Sequence, residues 1–124
     1  MFGGNTIDVM AYNDNIPFKF TMKSEGEKSR YSKGRYRQTT DPNNQWKVKL
    51  RSSEEGKGTV AKFYLTGYDY SIVSKTLSVK QGRGAHYQTA YSSASKRTVY
   101  LTVTNNNWST LSYVISGYWD EETR

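Results

Sequence analysis

The chain has 124 residues, a formal net charge of +7 at pH 7, one histidine and no cysteine. This length allows one domain with a modest core, and the lack of cysteine excludes thiol catalysis, thiolate metal sites and disulfides. Tyrosine, with 11 copies, buries a ring while keeping a polar tip, so the composition favours a folded domain with an adhesive surface over a disordered chain.

Residues 1–13 begin the chain with a Gly- and Asn-rich segment. It contains Val9-Met10-Ala11, a small-residue pattern typical of the end of a secretory leader. We predict that residues 1–13 are a flexible segment, either the tail of such a leader or an ordinary chain start. Residues 14–124 are predicted to form a single domain. No apolar run reaches the roughly 18 residues that a membrane-spanning helix needs.

From Pro17 onward, apolar residues recur with a period of two, which is typical of half-buried strands. Such runs cover 18–22, 46–51, 59–65, 71–79, 97–104 and 111–119, with a shorter candidate at 34–39. Turn-forming residues separate the runs, and no convincing amphipathic helix is present. The pattern predicts an all-β fold, an antiparallel β-sandwich of about seven to eight strands, with a small β-barrel as the alternative.

The inward positions of these strands predict the residues of the core. They are Phe18, Phe20, Trp46, Val48, Leu50, Phe63, Leu65, Val99, Leu101, Val103 and Tyr113.

Positive charge is concentrated in one third of the chain. Residues 19–51 carry ten bases and three acids, which sum to +7, whereas residues 1–18 sum to −2 and residues 52–124 to +2. The alternation places five bases on the outer faces of two strands, namely Lys19, Lys23, Lys47, Lys49 and Arg51. If the two strands are neighbours, the like charges need Glu25 and Glu27 or an external polyanion to neutralise them. The alternative is that the charge serves solubility and protects sheet edges.

The segment 28–38 interleaves bases with tyrosines, a mixture suited to an anionic or sugar-rich ligand. A second candidate is the loop at 80–93, which holds the single histidine beside a Gly-Arg-Gly turn. The predicted ligand-binding residues are Arg30, Tyr31, Lys33, Arg35, Tyr36, Arg37, Lys47, Lys49, Arg83, His86 and Tyr87.

Catalysis is not predicted. His86 could act as the general base for a serine nucleophile only if folding brought it close to Ser92, Ser93 or Ser95 and to Asp69. Any serine-rich chain with one histidine offers such a set of residues. The acidic pairs at 25 and 27, at 54 and 55, and at 120–122 are assigned to turns or to the tail, where burial would not raise a pKa for acid catalysis. No metal-ligand spacing, cofactor motif or nucleic-acid signature is present, so we expect no metal, no cofactor and no nucleic-acid partner.

Three blocks of sequence invite a comparison with known families. Residues 36–50, 84–107 and 116–123 resemble those of small secreted proteins of unknown function from Bacillus and its relatives. This resemblance implies an extracellular location. Residues 90–107 are also similar to the lactococcin-type bacteriocins, secreted β-sandwiches thought to act on a cell-wall precursor, although their histidines and N-terminal tryptophan have no counterpart here.

From these observations we expect a secreted, non-enzymatic binding protein that acts at the cell envelope. Its expected partner is an anionic wall polymer or a glycan, with a wall precursor or a membrane surface as further candidates. A bacteriocin-like antimicrobial protein and a hydrolase are the alternative functions.

Overall fold

The computed structural model describes residues 13–22, 28–54, 56, 58–105 and 112–124, with only the backbone of residue 105. The expectations for residues 1–12, Lys23, Glu25 and Glu27 lie outside this part of the chain. The described strands, in chain order, are β1 Ile16–Met22, β2 Lys28–Arg30, β3 Arg35–Arg37, β4 Trp46–Ser53, β5 Val60–Thr66, β6 Leu77–Lys80, β7 His86–Gln88, β8 Arg97–Asn105 and β9 Tyr113–Asp120.

These strands form two antiparallel sheets. The first sheet has the order β1-β9-β4-β7, and the second has the order β2-β8-β5-β6, with β3 also paired to β8. The sheets enclose one hydrophobic core, and within the described residues they do not join into a closed barrel. The all-β sandwich prediction is therefore confirmed.

The core follows the period-two pattern closely. Every residue predicted for it is buried except Phe20, which is half-buried and packs edge-on against Phe18 with ring centroids 5.5 Å apart. Trp119 and Ile115 of β9 are also fully buried. Neither residue belongs to the predicted core, which includes only Tyr113 from the run at 111–119.

Some of the strand boundaries differ from the sequence pattern. The run 71–79 contains only single bridges at Ile72 and Ser74 before β6 begins at Leu77. The short strands β2 and β7 were not predicted, because three residues are too few to establish an alternation. No helix in the described parts of the chain is long and apolar enough to span a membrane.

The strand order shows that the condition for like-charge repulsion between the two basic strands is not met. β1 and β4 are not neighbours, because β9 lies between them and pairs with both. Lys19 pairs with Ser116 and Lys49 pairs with Tyr118. The two basic strands therefore do not face each other with like charges.

Candidate functional site

The outer face of the second sheet, with the loop over it, brings together tyrosines and cations from several parts of the chain. Of these tyrosines, Tyr68 and Tyr70 are exposed, Tyr100 is half-buried and Tyr64 is buried. The register pairs Thr102 of β8 with both Arg30 and Tyr64, and it pairs Tyr100 with Thr66. Paired residues of a sheet project to the same side. We call this surface the tyrosine-rich face, and its side chains are Lys28, Arg30, Lys62, Tyr64, Tyr68, Tyr70, Ile72 and Tyr100.

The loop after β5 turns back over this face. The amide of Gly67 donates to the carbonyl oxygen of Ser71 at 2.9 Å, and Ile72 bridges back to Thr66. Asp69 holds the turn by accepting hydrogen bonds from the amide and hydroxyl of Ser71, and these bonds lower the pKa of Asp69. The loop thereby places Tyr68 and Tyr70 at the surface, where 74% and 66% of each residue is exposed.

Two residues of the loop have unusual backbone requirements. Tyr70 has a φ of 67°, a left-handed conformation that is costly for a bulky side chain. A Cβ at Gly67 would lie 2.1 Å from Nη2 of Arg97, so a larger residue there would require the Arg97 guanidinium to move. Contacts of the Tyr70 ring therefore have to offset the strain at its backbone.

Arg30 supplies such a contact. Its guanidinium carbon lies 3.9 Å from the ring centroid of Tyr70, 4.4 Å from that of Tyr100 and 5.9 Å from that of Tyr68. Nη1 donates to the carbonyl oxygens of Gly67 at 3.3 Å and Tyr68 at 3.1 Å. Cation–π contacts of this kind stabilise by about 0.5–2 kcal/mol each. Arg30 consequently fixes the loop on the sheet.

Two depressions share Tyr70 as a wall. One is a cleft of about 430 Å³ lined by Lys28, Ser29, Arg30, Ser32 and Tyr70. The other is a smaller hollow of about 80 Å³. Its lining includes Tyr70 and Ile72 together with the buried residues Thr66 and Thr102. The hydroxyl oxygens of Thr66 and Thr102 lie 2.8 Å apart. The cleft is cationic, and the hollow offers hydroxyl and apolar groups.

The charge of the tyrosine-rich face is positive. Lys28, Arg30 and Lys62 project from its strands, and no described Asp or Glu lies on the same strands. Asp69 of the loop is paired with Arg97 at 3.3 Å. Within the described residues, Lys28 and Arg30 therefore have no carboxylate partner.

The remaining residues predicted from segment 28–38 do not form one surface. Tyr31 packs against Phe20 at the core, with ring centroids 5.9 Å apart. Arg35 pairs with Glu121 at 2.8 Å, and this hydrogen bond raises the pKa of Arg35. Lys33 and Tyr36 are exposed.

Two of the predicted ligand-binding residues, Arg37 and Lys47, are buried and do not lie free on the surface. Arg37 is 1% exposed because its guanidinium donates to backbone carbonyl oxygens at the end of the chain and in the 41–44 turn. Lys47 is 4% exposed because Asn13 and Asn15 cover its ammonium group and the Tyr118 ring lies 5.2 Å from it. Lys49 is half-buried beside the same ring.

The assignment of the acids at 120–122 to an exposed tail is also wrong. Asp120 ends β9 and is fully buried, and burial first, then the neighbouring Glu121 carboxyl group, raises its pKa to about 7. Its Oδ2 accepts the amide hydrogen of Asp14 at 2.6 Å. Asp120 therefore joins the end of β9 to the residue that precedes β1 by two positions.

The loop at 80–93 divides into separate pieces. Nδ1 of His86 lies 2.8 Å from the carbonyl oxygen of Gly84, and no hydrogen bond among the described residues joins His86 to Asp69 or to a serine. Arg83 is exposed and lines an open depression of about 520 Å³ with Lys80 and Gln81. Tyr87, 43% exposed, lies on the first sheet beside Lys47.

Several residues of the site were not predicted from the sequence. Tyr68, Tyr70 and Tyr100 were not singled out, although Tyr68-Asp69-Tyr70 follows an apolar strand and could have been recognised as a turn that exposes two rings. Their proximity to Arg30 depends on the pairing of β2, β8 and β5, which links residues about 40 to 70 positions apart.

The fold and site of the described residues define an antiparallel β-sandwich with a cationic, tyrosine-rich sheet face. The sequence matches a family described as "Protein of unknown function (DUF2712)" over residues 7–123, and the chain belongs to that family. This agrees with the resemblance to a family of unknown function. A comparison with curated proteins found no match.

Proposed function

We propose that this protein is a secreted, non-enzymatic binding protein that holds a sugar-rich or anionic polymer of the cell envelope on its tyrosine-rich face. The observation that carries the proposal is the stack of Arg30 on Tyr70 and Tyr100 beside the exposed ring of Tyr68. Exposed rings supply rigid contact area at a low entropic cost. The cations Lys28 and Arg30, which have no carboxylate partner among the described residues, add long-range attraction for an anionic chain.

The shape of the surface supports a polymer rather than a small molecule. Small-molecule sites are usually enclosed and mostly apolar. Here the cleft and the hollow lie side by side on an open sheet face and share the wall formed by Tyr70. A chain that crosses this face can contact both depressions with successive units.

The test is retention on insoluble cell walls, with intact walls compared to walls stripped of their anionic polymers. We expect saturable retention of the wild type that decreases with salt, and no release of soluble wall fragments. Tyr70→Ala and Tyr68→Ala should each weaken retention about tenfold, as expected for exposed aromatic anchors. Tyr87→Ala is the matched control on the other sheet and should change retention less than about twofold.

Equal losses from Tyr70→Ala and Tyr87→Ala would contradict the proposed surface. Release of wall fragments by the wild type would replace binding with hydrolysis as the function. Each variant is also compared with the wild type in thermal unfolding, so that a loss of retention is not confused with a loss of structure.

A further inference from the structure

We infer that the cleft beside Tyr70 is a phosphate-binding subsite, which takes one phosphodiester unit of a polymer that crosses the tyrosine-rich face. The inference that the ligand is a polymer rests on the proposed function, whereas the inference that it carries phosphate rests on the hydrogen-bond donors of the cleft. The residues with such donors are Lys28, Arg30 and Ser32, which line the cleft together with Ser29 and Tyr70.

Arg30 has hydrogen-bonding capacity left for a ligand. Its Nη1 is used by the carbonyl oxygens of Gly67 and Tyr68, and within the described residues Nε and Nη2 have no partner. A guanidinium presents five N–H donors in a planar fork, and the unused ones can bind two oxygens of one phosphate.

The guanidinium is also held in place before any ligand arrives. The rings of Tyr70 and Tyr100 lie close to it, and the two carbonyl contacts fix its rotation. A side chain that is already ordered loses little conformational entropy on binding. This preorganisation distinguishes Arg30 from the exposed lysines elsewhere on the surface.

Phosphate fits the donor set better than a carboxylate does. A carboxylate is planar and is satisfied by a single guanidinium fork, whereas a phosphodiester is tetrahedral and accepts from several directions. In the cleft, an ammonium group and a hydroxyl group accompany the guanidinium. The volume of about 430 Å³ leaves room for the groups on either side of the phosphate.

The experiment is a titration of the full chain with inorganic phosphate and with glycerol phosphate, followed by amide chemical shifts at constant ionic strength. Galacturonate is titrated in parallel as a carboxylate probe. We expect the two phosphates to shift residues 28–32 and 70, with galacturonate at least fivefold weaker. Lys28→Gln should weaken phosphate binding about three- to tenfold, and Arg30→Lys, which keeps the charge but loses the fork, should weaken it similarly.

The matched control is Lys62→Gln, a lysine of the same face that does not line the cleft. We expect it to change phosphate affinity less than twofold. Equal weakening by Lys28→Gln and Lys62→Gln, or equal binding of galacturonate, would overturn the subsite while leaving tyrosine-dependent wall retention intact. Conversely, phosphate-induced shifts confined to the cleft, together with wall retention that Tyr70→Ala does not change, would support the subsite and contradict the proposed function.

Discussion

Nη1 of Arg37 donates to the carbonyl oxygen of Glu121 at 2.6 Å. Nη2 of the same guanidinium donates to the carbonyl oxygens of Asp41 at 2.9 Å and Asn44 at 2.6 Å. Burial lowers the pKa of Arg37, and an arginine nevertheless stays charged in proteins. This one buried side chain thus joins β3, the 41–44 turn and the residue that follows β9, and these contacts stabilise the fold.

Replacement of Arg37 should therefore destabilise the protein strongly. Arg37→Ala removes the donor in the buried hydrogen bonds to the carbonyl oxygens of Glu121 and Asn44, whereas the Asp41 oxygen keeps the Asn44 amide at 3.0 Å. The change should lower the free energy of unfolding by about 3 kcal/mol or more. Urea unfolding at pH 7 measures the change. Arg83→Ala, which removes an exposed arginine, should stay within about 0.5 kcal/mol of the wild type. Similar losses in both variants would show that the Arg37 contacts contribute little.

The sequence pattern was sufficient for the fold because it reflects a local property. Alternating apolar residues such as Trp46, Val48 and Leu50 have to face one side of a strand. The order of the strands depends on pairings between distant segments, and the alternation carries no information about them. For this reason the pattern assigned Lys49 correctly to an outer face but could not reveal that Tyr118 of β9 lies beside it.

Trp46 tests the core directly. It is fully buried, and its indole Nε1 donates to the carbonyl oxygen of Thr89 at 3.3 Å. Trp46→Ala should lower the free energy of unfolding by about 3–5 kcal/mol, because a large cavity remains. Tyr91→Ala, at a residue that is 45% exposed, should cost less than about 1 kcal/mol. Comparable costs in a urea denaturation series would contradict the assignment of Trp46 to the core.

The raised pKa of Asp120 predicts a stability that falls as pH rises. The ordinary pKa of an aspartate, 3.8, applies to the unfolded chain, whereas the folded value is about 7. Between these values the folded state binds more protons, so its free energy of unfolding decreases with pH until Asp120 is fully ionised. We expect a loss on the order of 2–3 kcal/mol from Asp120 between pH 5 and pH 8, measured by urea unfolding.

Asp120→Asn provides the control for this pH dependence. An asparagine keeps an acceptor for the Asp14 amide hydrogen but does not titrate. The variant should lose most of the slope between pH 5 and pH 8. An unchanged slope would assign the pH dependence to another group.

The candidate site was less predictable than the fold for a related reason. Local composition drew attention to Arg30, but it does not distinguish this residue from the neighbouring bases. In the structure Arg37 faces the inside and Arg35 pairs with Glu121, so neither joins Arg30. The tyrosines that do join it come from the loop after β5 and from β8. Composition does not distinguish an arginine that joins the site from one that is buried or ion-paired, because the direction of a side chain depends on how the strands pair.

The cover over Lys47 predicts coupling between residues 13–15 and β4. The ammonium group of Lys47 donates to Asn13 and, at 2.7 Å, to Asn15, and these side chains are the acceptors that accompany its burial. The double variant Asn13→Ala/Asn15→Ala should therefore lower the free energy of unfolding by about 1–3 kcal/mol. In a Lys47→Met background, where no charge needs acceptors, the same double change should cost less than about 0.5 kcal/mol.

Asn43→Ala, at an exposed asparagine, is the control and should have little effect in either background. A full cost that persists without the lysine would mean that residues 13–15 stabilise the fold through contacts other than those with Lys47.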